Sequence, residues 1–297
     1  MSLKNSVWVK DGDRKEWNRL ILSVASGKGG TGKTSVAASM AKSLGYCQFI
    51  DYDVEAPNAH FFLKPDIKNE EVVKIKQPYF LSGTGADFSR CAEFCHYNAV
   101  AYVNGKVVFF PDLCHGCGGC LLVGPQGSVR EKDVVVGKVM KGKAEPGIDF
   151  LMGELIPGNL RTISIQNKLE GYINRDDTVI IDCPPGTSCP MVAAVKNSDY
   201  CILVTEPTPF GLNDLEISLE VLKNLNIPHG VIINRDGIGD NAVEDFCSER
   251  DISILEKIPN DLKIAEAYSE GKTMIEIMEQ WKERFLRVVE KIEKKAG

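Results

Sequence analysis

Residues 27–34, Gly27-Lys28-Gly29-Gly30-Thr31-Gly32-Lys33-Thr34, constrain this chain more than any other stretch. They match G-x-x-x-x-G-K-[ST], a glycine-rich loop that joins a strand to a helix. The flanks agree with that placement. Leu20 to Ala25 is a short apolar run of strand character, and Ser35 to Leu44 is Ala-rich, free of Gly and Pro, and reads as a helix. Glycines let consecutive N–H groups point into one concavity with no Cβ in the way, and the helix N-terminus adds a positive field. Such a loop holds phosphate groups. Lys33 reaches the terminal phosphates, and the Thr34 hydroxyl is suited to ligate Mg2+. The chain is therefore expected to bind a nucleotide.

Two aspartates sit where that loop needs them. A second strand, Cys47 to Asp51, ends in Asp51-Tyr52-Asp53 and runs on into Glu55-Ala56-Pro57-Asn58. Beside a phosphate loop, a carboxylate such as Asp53 just past a strand end is placed to touch magnesium or the attacking water. A buried-type strand over 178–181 runs into Asp182-Cys183-Pro184-Pro185-Gly186, which makes Asp182 the expected magnesium residue. Between them, an amphipathic stretch from Gly153 passes through Leu160, Ile163, Ile165, Leu169 and Ile173. Further strands are expected at Tyr200–Thr205, His229–Asn234 and Ile252–Ile258, separated by helical segments. This rhythm specifies an α/β fold, a mostly parallel sheet covered by helices on both faces. Asn234 closes its strand, where its amide can pair with a base edge.

Between 64 and 147 the rhythm breaks into Pro, Gly, short Val-rich segments and a Cys/Gly-rich run, which reads as an inserted small domain. It has too few periodic apolar positions for a conventional core, so something else must hold it together. Of ten cysteines in the chain, five lie between Cys91 and Cys120. With no apolar run of membrane-spanning length and no secretory leader, the protein is expected to be cytoplasmic, where clustered cysteines indicate metal or redox chemistry rather than disulfides. Formal net charge is −6, without the Lys/Arg block of a nucleic-acid footprint, so no nucleic-acid partner is expected.

The cysteine spacing can be taken further. Bacterial ferredoxin modules use C-x2-C-x2-C-x3-C-P twice, and the fourth cysteine of each run serves the other cluster. Here Cys114-x2-Cys117-x2-Cys120-x3 ends in Gly124-Pro125, so the proline is present and the fourth cysteine is a glycine. The earlier run keeps Cys91-x3-Cys95 but has Phe88 and Gly85 at its first two positions. Crossing the ligands leaves one complete set, Cys95, Cys114, Cys117 and Cys120, for one 4Fe–4S cluster. Cys91 is left over, with Phe88 as apolar filling for the absent second cluster. The competing reading is structural zinc on Cys91, Cys95, Cys114 and Cys117. Cys47, Cys183, Cys201 and Cys247 read as small hydrophobes.

Lys28, near the start of K-G-G-x-G-K-T, resembles the deviant phosphate loop of the family containing MinD, ParA, the Mrp-type iron–sulfur carriers and the nitrogenase iron protein. With Pro207-Thr208-Pro209-Phe210-Gly211 after Glu206, the chain from about residue 20 onward resembles the MinD-superfamily ATPases with an inserted ferredoxin domain. The departure is the missing half of the ferredoxin module. The resemblance implies a P-loop NTPase domain over 20–63 and 148–297, a ferredoxin-like α+β iron–sulfur domain over 64–147, and an N-terminal arm over 1–19. It implies Mg2+-dependent ATP hydrolysis by a homodimer, with Lys28 reaching the phosphates of the other subunit and Asp53 orienting water. The Pro-Pro-Gly turn after Asp182 would be a switch, and Asn234 and Pro259 would flank the adenine. Cys189 resembles in its spacing a cluster ligand of the nitrogenase iron protein, without the second ligand needed. The C-terminal helix, a membrane anchor in some MinD-like proteins, reads here as a cover for the sheet. The function implied is ATP-gated electron transfer to a redox partner. The alternatives are a carrier ATPase handing a cluster to an iron–sulfur client protein, or a regulatory ATPase with a structural insert.

Overall fold

The computed structural model describes residues 19–81 and 85–296. The arm expected over 1–19 lies outside the described residues except for Arg19, which pairs with Asp176 at the surface. Strand β1 (Ile21–Ala25) shows why the apolar runs become strands: Leu22 and Val24 face one core while Ile21 and Ala25 face another. A strand buried on both faces is a near-continuous hydrophobic run, which only a helix-covered parallel sheet accommodates.

The chain continues through α1 (Lys33–Leu44), β2 (Cys47–Asp51) and the short α2 (Ala59–Leu63). Two long strands follow, β3 (Asp66–Phe80) and β6 (Val129–Ala144), with a small lobe between them. That lobe holds α3 (Ser89–Phe94), the hairpin β4 (Val100–Val103) and β5 (Lys106–Phe109), a 3-10 turn at Pro111–Leu113, and α4 (Gly119–Val123). Then come β7 (Ile148–Leu155), α5 (Thr162–Glu170), β8 (Val179–Asp182), α6 (Cys189–Val195), β9 (Tyr200–Thr205) and α7 (Pro209–Asn224). The last elements are β10 (His229–Asp236), α8 (Ala242–Glu249), β11 (Ile254–Pro259), α9 (Leu262–Ser269), α10 (Met274–Ile277) and α11 (Gln280–Ala296).

These strands form one sheet in the order β11-β10-β9-β1-β8-β2-β7-β6-β3. Every pairing from β11 across to β7 is parallel, whereas β7–β6 and β6–β3 are antiparallel. The core on one face is built from α1 and α11, with Val36, Met40, Trp281 and Phe285 over Leu22, Phe49 and Ile180. The core on the other face joins Ile165, Leu169, Met191, Leu215 and Phe246 to Ile50, Ile181 and Ile233.

Two expectations are corrected. The segment 64–147 does not leave the sheet as a whole: its first and last strands, β3 and β6, extend it, and the residues between them form a lobe whose small core joins Phe88, Cys91 and Val100 to Phe80 at the end of β3. Strand β3 escaped notice because it is an edge strand, mostly exposed and rich in Lys and Glu, as edges that avoid further pairing are. The amphipathic stretch expected from Gly153 is a strand up to Leu155, and its helix begins at Thr162. A Cβ on Gly153 would meet Ile165 and Val54 at 2.6 Å, so the glycine lets α5 lie close on the sheet.

Helix α11 buries Trp281, Phe285, Val288, Val289 and Ile292 against the sheet and α1. Among the described residues no helix is long and apolar enough to cross a membrane. Phe285→Ala, which empties a fully buried ring site, is expected to lower stability by about 3–5 kcal/mol, read from urea unfolding.

Candidate functional site

The loop after β1, the end of β2 and the end of β8 meet because those strands are neighbours at the centre of the sheet. Gly30 and Gly32 have φ of 82° and 87°, the left-handed turns that let the loop wrap the start of α1. A Cβ on Gly32 would sit 2.3 Å from the Asn234 amide nitrogen, which donates to the Thr31 carbonyl at 2.7 Å. A cleft of about 330 Å3 is bounded by residues 29–35 on one side and by Asn234, Pro259 and Tyr268 on the other, with Asp53 and Asn58 at its phosphate end.

Lys33 is buried and donates to Asp182 Oδ1 at 2.8 Å. Burial works against its charge, but Asp182, with Asp51 and Asp53 beyond, outweighs burial and holds the ammonium above the ordinary lysine range. The second Asp182 oxygen is buried without a hydrogen-bond partner, an acceptor left open where a cation would bind. The Thr34 hydroxyl lies 3.4 Å from Lys33 Nζ. These residues fit Mg2+: hard oxygen donors, one of them orphaned, beside a phosphate cradle.

Asp51, at the end of β2, is fully buried, and it organises the loop that carries Asp53. Its carboxylate accepts N–H bonds from Asp53 at 3.0 Å and from Asn58 and Ala59 at 3.1 Å. Burial and the neighbouring Asp182 raise its pKa. Burial likewise pushes Asp53 up to about 6, with Lys33 opposing the shift. Gly27, expected among the phosphate-loop residues, does not line the cleft, and Lys28, expected to act across a dimer, faces away from it within this chain. A Cβ on Gly27 would strike the Asp214 backbone oxygen at 2.4 Å, so Gly27 serves close packing against α7. Lys28 turns to Glu206, Nζ to Oε2 3.2 Å, and the same buried carboxylate holds Arg235 at 2.5 Å. Nothing local in the sequence marks Glu206 or Arg235 as partners. Asp51 carried a signal, as a strand-ending aspartate two residues before Asp53.

In the small lobe, Cys95, Cys114, Cys117 and Cys120 border one small cavity. Cys95 caps α3, Cys114 follows the 3-10 turn, and Cys117 lies between left-handed Gly116 and Gly118. The Cys95 sulfur accepts the Ala99 N–H at 3.3 Å, and the Cys114 sulfur accepts the Gly116 N–H at 3.4 Å. Burial, and the proximity of Cys91, Cys95, Cys114 and Cys117, push the Cys120 thiol up to about 12. Cys91 is fully buried, contributes to the lobe core and does not line the cavity. A Cβ on Gly124 would lie 3.0 Å from its sulfur, and Phe88 packs edge-on to Phe80 at 5.3 Å, so apolar groups occupy the Cys91 side. Among the described residues no three His, Cys, Asp or Glu side chains are gathered tightly enough to hold a single metal ion. Cys189 is exposed at the start of α6, outside the cysteine lobe.

A parallel sheet with a glycine-rich phosphate loop, a lysine on a strand-ending aspartate and a base-sized cleft beside them defines a P-loop nucleoside triphosphatase. Residues 22–274 match the CobQ/CobB/MinD/ParA nucleotide binding domain, and the chain belongs to that family, a P-loop ATPase of the MinD/ParA/Mrp superfamily. Nucleotide and Mg2+ binding are expected properties of this family. The chain is 32% identical over 262 residues to an uncharacterized protein of Methanocaldococcus jannaschii, covering 86% of this chain and 91% of that one. It is 25% identical over 276 residues to an iron–sulfur cluster carrier protein of Pyrococcus abyssi, covering 86% and 79%. Its fold is that of the septum site-determining protein MinD from Pyrococcus horikoshii, solved with Mg-ADP, at a TM-score of 0.56 and 22% identity over 94% of this chain and 97% of that one.

Gly32→Ala forces a Cβ into a left-handed position and onto Asn234, at a cost of about 1–2 kcal/mol in strain alone. Nucleotide affinity is expected to fall by about tenfold or more while the fold persists, measured by titration calorimetry and circular dichroism.

Proposed function

We propose that this protein is a dimeric ATPase that couples its nucleotide state to one 4Fe–4S cluster held by Cys95, Cys114, Cys117 and Cys120, for ATP-gated electron transfer. The observation that carries the reading is the one small cavity that those four cysteines all border. The donors suit the group: all are cysteine, and two already accept backbone N–H bonds. A bound cluster would supply a one-electron redox couple. Cys91, a member of the zinc quartet, is buried in the lobe core and does not line the cavity, which favours the other set of four.

In the ATPase cycle, the N–H groups of residues 29–33 cradle the phosphates, and Lys33 turns from Asp182 to the terminal phosphate. Thr34 and Asp182 would hold Mg2+, which neutralises phosphate charge. Asp53 orients the attacking water. Asn234 and Pro259 flank the base. Lys28 must leave Glu206 to reach the nucleotide of a second copy, so dimer formation and loss of that intrachain ion pair go together. Its partial exposure leaves the swing open.

The carrier reading has its own support, the iron–sulfur cluster carrier protein among the relatives. Cluster lability separates the two: a cluster that resists chelators and cycles reversibly supports electron transfer, and rapid transfer to an apo-ferredoxin supports the carrier.

Anaerobically purified protein is expected to be brown, with about four irons per chain and no stoichiometric zinc. Cys95→Ala or Cys120→Ala should remove the visible absorption, and Cys91→Ala should retain it. Colourless protein with one zinc per chain would sink the redox reading. ATPase rates with the cluster oxidised, reduced and absent test the coupling: identical rates would leave an ATPase without redox gating.

A further inference from the structure

The first turn of α5 lies between the two centres. Arg161, which precedes the helix, is only 6% exposed. Its Nε–H donates to the Cys114 carbonyl at 2.7 Å, a second N–H to the Pro111 carbonyl, and a third to Asn159 Oδ1 at 3.1 Å. Among the described residues no carboxylate pairs with it. Carbonyl and amide oxygens satisfy its N–H groups but leave its charge uncompensated, and a buried guanidinium without a counter-charge is costly. The cysteine centre lies beside it. Arg161 grips the carbonyl of Cys114 itself, and Cys95, Cys117 and Cys120 line the same cavity as that residue. Four thiolates around an iron–sulfur core remain net anionic, so the charges match.

The same turn is tied to the nucleotide loops. The Thr162 hydroxyl donates to Glu55 Oε1 at 2.8 Å, two residues beyond Asp53. One turn later, Gln166 Nε2 donates to the Tyr52 carbonyl at 3.1 Å and to the Pro190 carbonyl at 3.2 Å, the latter in the segment that follows Asp182. One turn of helix is thus bonded on one side to the loops that surround the terminal phosphate and on the other to the cysteine loop.

We propose that Arg161 is the buried counter-charge of the cysteine centre and, through Thr162 and Gln166 on the adjoining turn, the joint by which movement of the nucleotide loops reaches that centre. The inference rests on the iron–sulfur reading above. A cation beside the cluster stabilises its more negative, reduced form and raises its potential. Displacing the turn moves the guanidinium relative to the sulfurs, so a change in the loop of Asp53 is read out as a change in potential. Arg161 is a positioning residue, since it touches neither nucleotide nor sulfur.

The test is a redox titration of full-length, anaerobically reconstituted protein, followed by electron paramagnetic resonance, with ADP, with a non-hydrolysable ATP analogue and without nucleotide. Arg161→Gln is expected to move the midpoint to a more negative potential, and Arg161→Lys to restore most of it. Thr162→Val should match the wild type without nucleotide and lose the nucleotide-dependent shift. If Arg161→Gln fails to fold, the lysine and Thr162→Val variants still decide. An unmoved midpoint in Arg161→Gln, or a full nucleotide shift in Thr162→Val, overturns the inference while leaving the cluster in place. A wild type that holds no iron overturns the iron–sulfur reading and this inference with it.

Discussion

A buried lysine caught between carboxylates is the constraint from which the rest follows. Lys33 can be buried only because Asp182 is 2.8 Å away and Asp51 and Asp53 lie beyond it. Those acids can be buried near one another only because the lysine, and the N–H groups that Asp51 gathers, offset their repulsion. Three parallel strands must end side by side to bring these groups together, so the sheet order and the site are one requirement. In the proposed cycle a phosphate chain with its metal takes Lys33 from Asp182 and frees that carboxylate for the cation.

The cysteine lobe depends on the sheet in another way. It has only a small apolar core, too little to stand alone, and it is carried at the tip of β3 and β6, which continue the main sheet. Gly116 brings the cysteine loop so close to β3 that a Cβ would meet the Lys76 carbonyl at 2.8 Å. The lobe is therefore held at two places, its base by the main sheet and its cysteine loop by Arg161.

Glu206 shows how the site holds a component back. Its single buried carboxylate occupies both Lys28 and Arg235, two cations next to the cleft, when neither has another anion to bind. The exposure of Arg235, and its left-handed backbone, mark a side chain at the rim rather than in the core.

Much of the site was legible in the amino-acid order because phosphate loops, strand-ending aspartates and cysteine spacings are local patterns: a few adjacent residues decide whether the chemistry is available. Gly30, Gly32, Lys33, Asp53, Asp182 and the cysteine quartet belong to this class, as does the alternation of apolar strand and helix that determined the parallel sheet. Contacts between residues far apart in the chain were decided only by the tertiary structure. Gly27 proved to be a packing glycine because α7 crosses behind it, Lys28 turned inward because Glu206 waits there, and β3 and β6 joined the main sheet because β7 offered an edge. Arg161 gave no sign at all, for a lone arginine acquires meaning only when folding buries it against the Cys114 carbonyl with no carboxylate paired to it among the described residues. Local order sets which groups a chain possesses, and burial and distance, which depend on every other residue, set what those groups must pair with.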